Sequence, residues 1–395
     1  MNFLLDGILS LATPEGVKML VMWAVGGLLI YLAIGKGFEP ALLLPMGFGA
    51  ILVNIPLSGA LTQGMFNMAG EKIGEAHGII EWLYATTIEA SEALPLLLFI
   101  GIGAMIDFGP LLSNPKMMLF GAAAQFGIFF AICAALLAAP LFGISLTIQD
   151  AASIGIIGAA DGPTSILVAN IFQTPYVGAI AVAAYSYMAL VPIVQPFAIK
   201  LVTTKKERMI RMPYNPKNVS RTTRLVFPVV VTIIAGLVAP ASVALVGFLM
   251  FGNLIRECGV LDSLSQTAQK EFANIITLLL GITISFSMRA EYFVKKETLF
   301  IMVIGLIAFV FDSIGGVMFA KLLNLIPGGQ KINPMVGAAG ISAFPMSARV
   351  IQKMALKEDD QNHLLMHAVG ANVSGQIASV IAGGIILGLV PQLIK

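Results

Sequence analysis

The stretch that decides the fold is IGIIGAADGPTSI, residues 154–166. It is apolar at both ends and carries one carboxylate, Asp161, at its centre, followed directly by Gly162 and Pro163. This Gly-Pro pair breaks a helix, because glycine weakens it and proline cannot donate a backbone hydrogen bond. Inside a membrane such a break survives only where it is buried in protein or lines a wet cavity. An aspartate at this depth is costly unless it is compensated, so Asp161 is the first candidate functional residue.

The composition places this stretch in a membrane protein. Of 395 residues, 58% are hydrophobic and 11% are charged, and the mean hydropathy is +0.92. A soluble domain is about 25% charged. The length allows roughly ten spans of about 20 residues each. The net charge of +2 gives no basis for a nucleic-acid partner. The two cysteines lie in apolar runs without metal-ligand spacing, and we interpret them as core residues.

A second broken stretch resembles the first. GAAGISAF at 337–344 parallels GAADGPTS at 158–165. Two other pairs of stretches occur in the same order along the chain, namely LLLFIGIG (96–103) with ITLLLGIT (276–283), and PMGFGAILVN (45–54) with LVGFLMFGN (245–253). This duplication predicts an all-α polytopic membrane protein with a transporter-like fold. It would consist of two inverted structural repeats, each with a broken or re-entrant helical hairpin.

The pattern of charge divides the chain into four predicted segments. These are an N-terminal surface helix (1–16), a first membrane repeat (17–199), a basic cytoplasmic linker (200–224) and a second membrane repeat (225–395). The first segment has no basic region of the kind that starts a signal peptide. The linker holds eight Lys or Arg residues against one acid, Glu207, so the positive-inside rule places it in the cytoplasm.

Five crossings in each half would turn the second half upside down relative to the first. The N-terminus and the stretch 71–92 would then lie outside, and the loop at 349–361 would lie inside. Lys295 and Lys296 would fall on the outer side, against the positive-inside rule.

Polar residues in and after the breaks are the other candidates. A carboxylate beside free carbonyls suits a small cation at Asp161, although the side chain could instead only cap a helix. Asn333 and Ser342 offer neutral oxygens near the second break, and Gly337 permits close approach of another backbone. Arg349 could hold an anion through its planar fork, or could only anchor the topology.

Two further candidates lie on the helices that follow the breaks. Tyr187 and Asn372 should face the protein interior or a cavity, where they could act in the site or only join helices by hydrogen bonds. Asp312 lies deep in an apolar run and could be a second ion ligand or a partner of Arg289. No phosphate-binding loop occurs, so the chain is not an ATP-driven pump on its own sequence.

Four motifs make the chain resemble a known family. They are IGIIGAADGPTSI (154–166), AAYSYMALVP (183–192), GAAGISAFPMSARV (337–350) and GANVSGQIASV (370–380). In this order they closely resemble the membrane β subunit of the sodium-pumping biotin-dependent decarboxylases, which act on oxaloacetate, methylmalonyl-CoA, glutaconyl-CoA or malonate. The resemblance covers nearly the whole chain.

The resemblance implies a lyase and translocase subunit of a bacterial inner membrane. It would decarboxylate carboxybiotin delivered by a partner and couple CO2 release to outward Na+ transport, with consumption of a proton. Na+ and biotin are the implied cofactors. The implied partners are the biotin-carrying and carboxyltransferase subunits, a small single-span γ subunit and membrane lipid, with the β subunits forming a homotrimer.

The resemblance also assigns roles to single residues. It implies catalytic roles for Asp161, Tyr187 and Arg349, and contacts to the biotin group from Asn333, Ser342 and Arg349. The implied Na+ ligands are Asp161, Asn333, Gly337, Ser342 and Asn372.

Two other functions fit the same residues. A secondary transporter that carries a carboxylate with Na+ would also have repeats, hairpins and an arginine for its substrate. A structural anchor for a soluble enzyme would need neither a buried carboxylate nor a break, so Asp161 argues against it.

Overall fold

The described part of the chain is almost entirely helical. A computed structural model describes residues 5–37, 39–68, 71–214, 218–327 and 331–394. The predicted all-α membrane class is confirmed, with one β-hairpin as an exception that hydropathy did not predict. Of the predicted surface helix 1–16, residues 1–4 lie outside the described residues, and the helix Asp6–Ser10 that follows buries no side chain.

The elements before the basic linker run in a fixed order. They are α1 (Asp6–Ser10), α2 (Pro14–Lys36), α3 (Pro40–Val53), β1 (Gln63–Phe66), β2 (Lys72–Ala76), α4 (Ile79–Tyr84), α5 (Ala93–Met105), α6 (Gly109–Ser113), α7 (Met118–Ala124), α8 (Phe126–Ala138), α9 (Ile148–Gly155), α10 (Gly162–Ile171) and α11 (Val177–Val202).

The linker and the second half continue this numbering. Their elements are α12 (Lys205–Arg208), α13 (Arg221–Val238), α14 (Val243–Glu257), α15 (Asp262–Thr267), α16 (Ala273–Ile284), α17 (Ala290–Phe293), α18 (Lys296–Leu323), α19 (Met335–Ala338), α20 (Met346–Glu358) and α21 (Leu365–Leu393).

Within the described ranges, six helical stretches are long and apolar enough to cross a membrane, or eight if two bent pairs each count as one span. The first bent pair joins Ile79–Glu89 to Ala93–Met105 at 69°. The second lies within α11, which bends by 74° just before Pro192. Proline explains this bend, because its ring clashes with the carbonyl four residues earlier. The number is lower than the ten predicted, since α3 and α14 are too short to count as full spans.

The two halves repeat the same order of elements. The paired motifs lie in α3 and α14, in α5 and α16, and in the two breaks before α10 and α20. A π-helical turn precedes both α5 and α16, at Ala85–Glu89 and Ala268–Phe272. A 28-residue span occurs in each half, at Pro115–Phe142 and Lys296–Leu323. These correspondences support the internal duplication, while the inverted orientation of the halves stays a prediction.

Helices of one half pack on helices of the other. α3 packs on α16, α5 on α14, α7 on α21 and α8 on α18. Three buried apolar clusters fill the spaces between them. The halves therefore form one interleaved body, and the breaks lie inside it.

The basic linker is held against the end of α20. Arg208 forms an ion pair with Glu358 at 2.8 Å, and Arg211 pairs with Asp359 at 2.6 Å. The Arg211 guanidinium lowers the pKa of the Asp359 carboxyl through a hydrogen bond and its charge. These contacts confirm that the linker and the loop after α20 lie on one face, as the predicted cytoplasmic location of both requires. Residues 215–217 of the linker lie outside the described residues.

Candidate functional site

The first break is a sharp change of direction between α9 and α10. α9 tightens into a 3-10 turn at Ile156–Ala159, and Ala160 then takes a left-handed conformation with φ of 53°. Left-handed backbone is strained for any residue with a Cβ atom. Asp161 follows as the N-cap of α10, and Pro163 occupies the first turn, where its missing N–H is harmless.

The Asp161 carboxylate is buried and bonded by its neighbours. Its Oδ2 atom accepts a hydrogen bond from the Thr164 hydroxyl at 2.7 Å and one from the Ser379 hydroxyl at 3.0 Å. Its Oδ1 atom accepts a long bond from the Thr164 N–H at 3.4 Å. The capping role that the sequence left open is therefore real. Ser379 belongs to α21 in the other half, so the carboxylate also joins the two halves.

The second break lies directly against the first. The Ser342 N–H donates to the Ala159 carbonyl at 3.0 Å, so the two breaks are joined by a main-chain hydrogen bond. The Ser342 hydroxyl donates to the Gly375 carbonyl of α21 at 3.1 Å. Both residues next to the bond, Ala160 and Ile341, are fully buried. Neither break therefore faces lipid, as an interrupted backbone in a membrane requires.

One face of α21 holds both breaks. Asn372, Gln376 and Ser379 recur at intervals of four and three residues, which places them on one side of a helix. The Asn372 amide donates to the Ile341 carbonyl at 2.7 Å, and the Gln376 amide donates to the Ser342 carbonyl. Ser379 binds Asp161 at the other end of this row. Asn372 thus faces the interior, as predicted, and this polar face of α21 bonds to the unwound backbone.

The oxygen atoms at the breaks are of the chemical kind that binds a small hard cation. The Asn372 Oδ1 atom is buried and has no hydrogen-bond partner among the described residues, so this neutral oxygen is free to bind a cation. In the described ranges no cluster of three His, Cys, Asp or Glu side chains could hold a transition metal. Asp161 supplies a carboxylate where the two breaks meet, and the Asp312 Oδ2 atom, also buried without a partner among the described residues, lies close to Gly158 of the first break. Ser379 and Asn372 are seven residues apart, so these oxygens are spread over about 10 Å of helix axis.

Asn333 and Gly337 have other neighbours. The Asn333 amide donates to the carbonyls of Arg208 and Ile210 at 2.8 Å each, so it fastens the basic linker to the start of α19. A Cβ atom on Gly337 would lie 2.0 Å from the Gly316 carbonyl oxygen, so Gly337 allows α19 to touch α18. The structure therefore does not bring these two residues into contact with Asp161.

Tyr187 and Arg349 also lie apart from the carboxylate. The Tyr187 hydroxyl donates to the Met302 carbonyl of α18, and its ring packs near Gly305. Arg349 lies in the first turn of α20, between the second break and the linker, and is exposed. Of the predicted residues, Asp161, Ser342 and Asn372 take part in the hydrogen bonds that join the two breaks to α21, spread along about 10 Å of that helix.

Three polar residues at the breaks were not predicted as site residues. Thr164 and Ser379 hold Asp161, and Gln195 of α11 donates to the Ala338 carbonyl at 2.8 Å and to the Ser347 hydroxyl at 2.7 Å. Tyr185 lies with its ring against Gly162, and its buried hydroxyl has no partner among the described residues. Their shared sequence signal is a polar group in a span without charges.

Asp312 bonds to the backbone at a third interrupted helix, where α7 ends and α8 begins. Its Oδ1 atom accepts from the Ile128 N–H at 2.9 Å, in the first turn of α8, just after Gln125 separates α7 from α8. This carboxylate satisfies amides that a helix start leaves free. Arg289 pairs instead with Glu291, at 3.4 Å. The structure therefore does not join Asp312 to Arg289.

Comparisons with known proteins agree with the motifs. The family model of the Na+-transporting oxaloacetate decarboxylase beta subunit matches residues 18–390. An oxaloacetate decarboxylase beta chain from Klebsiella pneumoniae is 43% identical over 96% of each chain. A methylmalonyl-CoA decarboxylase subunit beta from Propionigenium modestum is 45% identical over 94% of each chain. A glutaconyl-CoA decarboxylase subunit beta from Acidaminococcus fermentans is 45% identical over 94% of this chain and 92% of the relative.

These matches cover almost the whole chain, including both breaks and the linker. Together with six to eight apolar spans, they identify a multi-pass protein of the bacterial inner membrane. The chain therefore belongs to the family of the β subunits of Na+-transporting decarboxylases.

Proposed function

We propose that this β subunit releases CO2 from carboxybiotin and uses the reaction to move Na+ outward across the membrane. The observation that carries the proposal is the buried Asp161 carboxylate at the point where the two breaks meet. A membrane anchor needs no such group, because a buried carboxylate costs several kcal/mol unless it is compensated. A Na+ pump needs an anionic ligand that is reached from one side at a time.

The reaction needs a dry site and a proton. The N–C bond of carboxybiotin breaks, CO2 leaves without the bonding electron pair, and the ureido nitrogen takes up a proton. Transfer from water into a drier cavity removes solvation from the carboxylate and favours this step, because the charge is dispersed as CO2 departs. We assign the first contact with the anionic head group to Arg349, which is exposed near the linker face. Ser342 and Asn333 would orient the ring.

Coupling follows from competition between Na+ and a proton for Asp161, where the two breaks meet. Na+ entering near Asp161 displaces a proton, and the neutral oxygens of Ser342 and Asn372 serve as further contacts for the ion along α21. Tyr187 passes a proton to biotin, and the emptied cavity returns the Na+ site to the outer side. Charge neutralisation at Asp161 lowers the barrier to this movement, because a neutral group crosses a low-dielectric region more easily than a charged one.

The other subunits supply the substrate. The relatives named above are β subunits of enzymes for three different acids, at similar identities of 43–45%. Identity therefore does not select the acid for this chain. We propose that a carboxyltransferase subunit selects it, that a biotin-carrying subunit delivers the carboxyl group, and that a single-span γ subunit and two further β subunits complete the membrane assembly.

The test is CO2 release from free carboxybiotin by membranes containing this chain and its small partner, with and without Na+. Asp161→Asn keeps the size of the side chain and removes its charge. Asp107→Asn is the control, because Asp107 accepts a bond from the Gly109 N–H and asparagine can do the same.

We expect Na+-stimulated CO2 release in wild type and in Asp107→Asn, and its loss in Asp161→Asn with the protein still folded. If the folded wild-type protein releases no CO2 but carries carboxylates with Na+ without any partner, the chain is a secondary carboxylate transporter and the proposed decarboxylation is wrong.

A further inference from the structure

A cationic cavity lies at the end of the molecule opposite the linker. It has a volume of about 340 Å³ and its lining includes Arg289, Lys295, Glu297 and three tyrosines, Tyr84, Tyr176 and Tyr292. α18 starts at this cavity, and near its other end Lys321 binds Glu207 of the linker at 3.0 Å. The 28 residues of α18 span about 42 Å, which is the thickness of a bilayer with its head groups. With the linker in the cytoplasm, as the positive-inside rule predicts, the cavity lies at the outer membrane–water interface.

Arg289 is fixed in place, and its one ion-pair partner among the described residues, Glu291, is largely exposed to solvent. Its guanidinium lies 4.3 Å from the ring centre of Phe286 and 4.5 Å from that of Tyr292. Stacking of this kind leaves the N–H groups at the edge of the plane free to bind an acceptor. The Nε atom is buried and has no hydrogen-bond partner among the described residues. Its acidic neighbour Glu291 lies at 3.4 Å and is itself 59% exposed.

The cavity also contains a second positive side chain and a negative one. Lys295 lies 5.7 Å from the ring centre of Tyr292 and adds a second positive charge. Glu297 is the acidic side chain of the described lining. This lining would match a ligand that places an anionic group beside Arg289 and Lys295 and a cationic group beside Glu297. Tyrosines favour the head-group layer of a bilayer, and ammonium groups bind well to their faces.

We propose that this cavity binds the head group of an outer-leaflet phospholipid with a phosphate and a primary amine, such as phosphatidylethanolamine. Arg289 and Lys295 hold the phosphate, and Glu297 holds the ammonium group. The proposal accounts for basic residues on the outer side, which the positive-inside rule disfavours. It does not depend on the decarboxylation reaction.

Lipid binding to the purified complex tests the proposal. We would remove lipid in detergent and titrate phosphatidylethanolamine or phosphatidylglycerol with identical acyl chains, and count bound lipids by native mass spectrometry. The variants are Arg289→Gln, Glu297→Gln and the control Lys296→Gln. Lys296 lies on the same face but outside the described lining, and its amine donates to the Gly143 carbonyl.

We expect Arg289→Gln to weaken binding of phosphatidylethanolamine about tenfold or more, because hydrogen bonds to a charged group are lost. Glu297→Gln should keep phosphatidylglycerol binding and lose the preference for the amine. Lys296→Gln should bind as wild type. If Arg289→Gln does not fold, Arg289→Lys keeps the charge without the fork and should show an intermediate loss.

Equal binding in wild type and Arg289→Gln would overturn the proposal. So would displacement of the lipid by inorganic phosphate alone, since that result would identify a site for a soluble anion. Because the readout is lipid binding, its failure is separate from any failure of the CO2-release experiment.

Discussion

Asp161 shows at the scale of one residue how a membrane protein keeps a carboxylate. Within the described residues no basic side chain forms an ion pair with it, and its hydrogen-bond donors are Thr164 and Ser379. A hydrogen bond to a charged group is worth about 1.5–3 kcal/mol, so these donors offset much of the burial penalty. They also leave the carboxylate able to bind a cation, which an arginine partner would prevent.

Ser379→Ala should weaken Na+ binding without removing the carboxylate. Loss of one donor to Oδ2 leaves Asp161 less well oriented, and about 1.4 kcal/mol corresponds to tenfold in affinity. We therefore expect the Na+ concentration for half-maximal CO2 release to rise about tenfold. Ser374→Ala is the matched control on the same helix, because Ser374 binds the Met117 carbonyl of the other half instead. An equal shift in both variants would contradict a role specific to Asp161.

Tyr187→Phe separates proton transfer from helix packing. If Tyr187 passes a proton to biotin, turnover should fall about a hundredfold or more, as general acids contribute at least that much. Loss of the bond to Met302 alone would lower the free energy of unfolding by about 1 kcal/mol and leave turnover nearly intact. The measurements are CO2 release, Na+ uptake and melting temperature, with the exposed Tyr31→Phe as control. Unchanged turnover with full Na+ transport would remove Tyr187 from the proton step.

The sequence predicted the polar residues at the two breaks better than it predicted their hydrogen-bond partners. Asp161, Ser342 and Asn372 were found because each is a polar group in an apolar, broken or buried segment. The partners of Asn333 could not be predicted, because they are carbonyls more than 120 residues away in the linker. No local pattern encodes such a contact.

At the scale of helices, close backbone approach fixes the position of the second break. Gly337 of α19 and Gly316 of α18 face each other, and a Cβ atom on either would lie 2.0 Å from the carbonyl oxygen of the other. This contact sets how deeply α19 sits in the protein. It explains why a glycine is needed at 337 without any contact to an ion.

Gly337→Ala should therefore destabilise the protein through packing. Overpacking of a tight contact costs about 1–3 kcal/mol, so we expect a lower melting temperature in detergent and reduced turnover. Gly388→Ala on α21 is the control, because nothing lies within 4 Å of its added Cβ atom and alanine favours a helix. If Gly337→Ala melts like wild type but loses Na+ dependence, its backbone acts in the ion site.

Helix ends and bends were partly readable from sequence. Glycine and proline marked the first break, since their effect on the backbone is local, whereas the bend of α11 before Pro192 was not predicted. The pairing of β1 with β2 was not predicted, because its strands have four and five residues and all but one of their side chains are exposed. Hydropathy carries no signal for a short polar hairpin.

For the whole molecule, the predicted topology places the linker in the cytoplasm and the stretch around Glu291 on the outer side of the membrane. A chain without native cysteines, carrying one new cysteine at Lys206 or at Glu291, should react with an impermeant maleimide from opposite sides. We expect Lys206→Cys to react in inside-out vesicles and Glu291→Cys in intact cells, because the linker is basic and both positions are exposed. Labelling of both from the same side would contradict the predicted topology of the second half.

The duplicated order of elements could be predicted from three weak motif matches, since duplication leaves many small correspondences. The interleaving of the halves could not. Contacts such as α5 with α14 join stretches about 150 residues apart, and hydropathy reports only that each is apolar.

The bond between Ser342 N–H and the Ala159 carbonyl has a consequence for efficiency. It belongs to the main chain, so among side-chain substitutions at 342 only proline would remove the donor. A displacement of either break would break this bond unless the other break moves with it. In an ion pump driven by a chemical reaction, such a link between the two breaks limits slippage, which is turnover of substrate without transport of an ion.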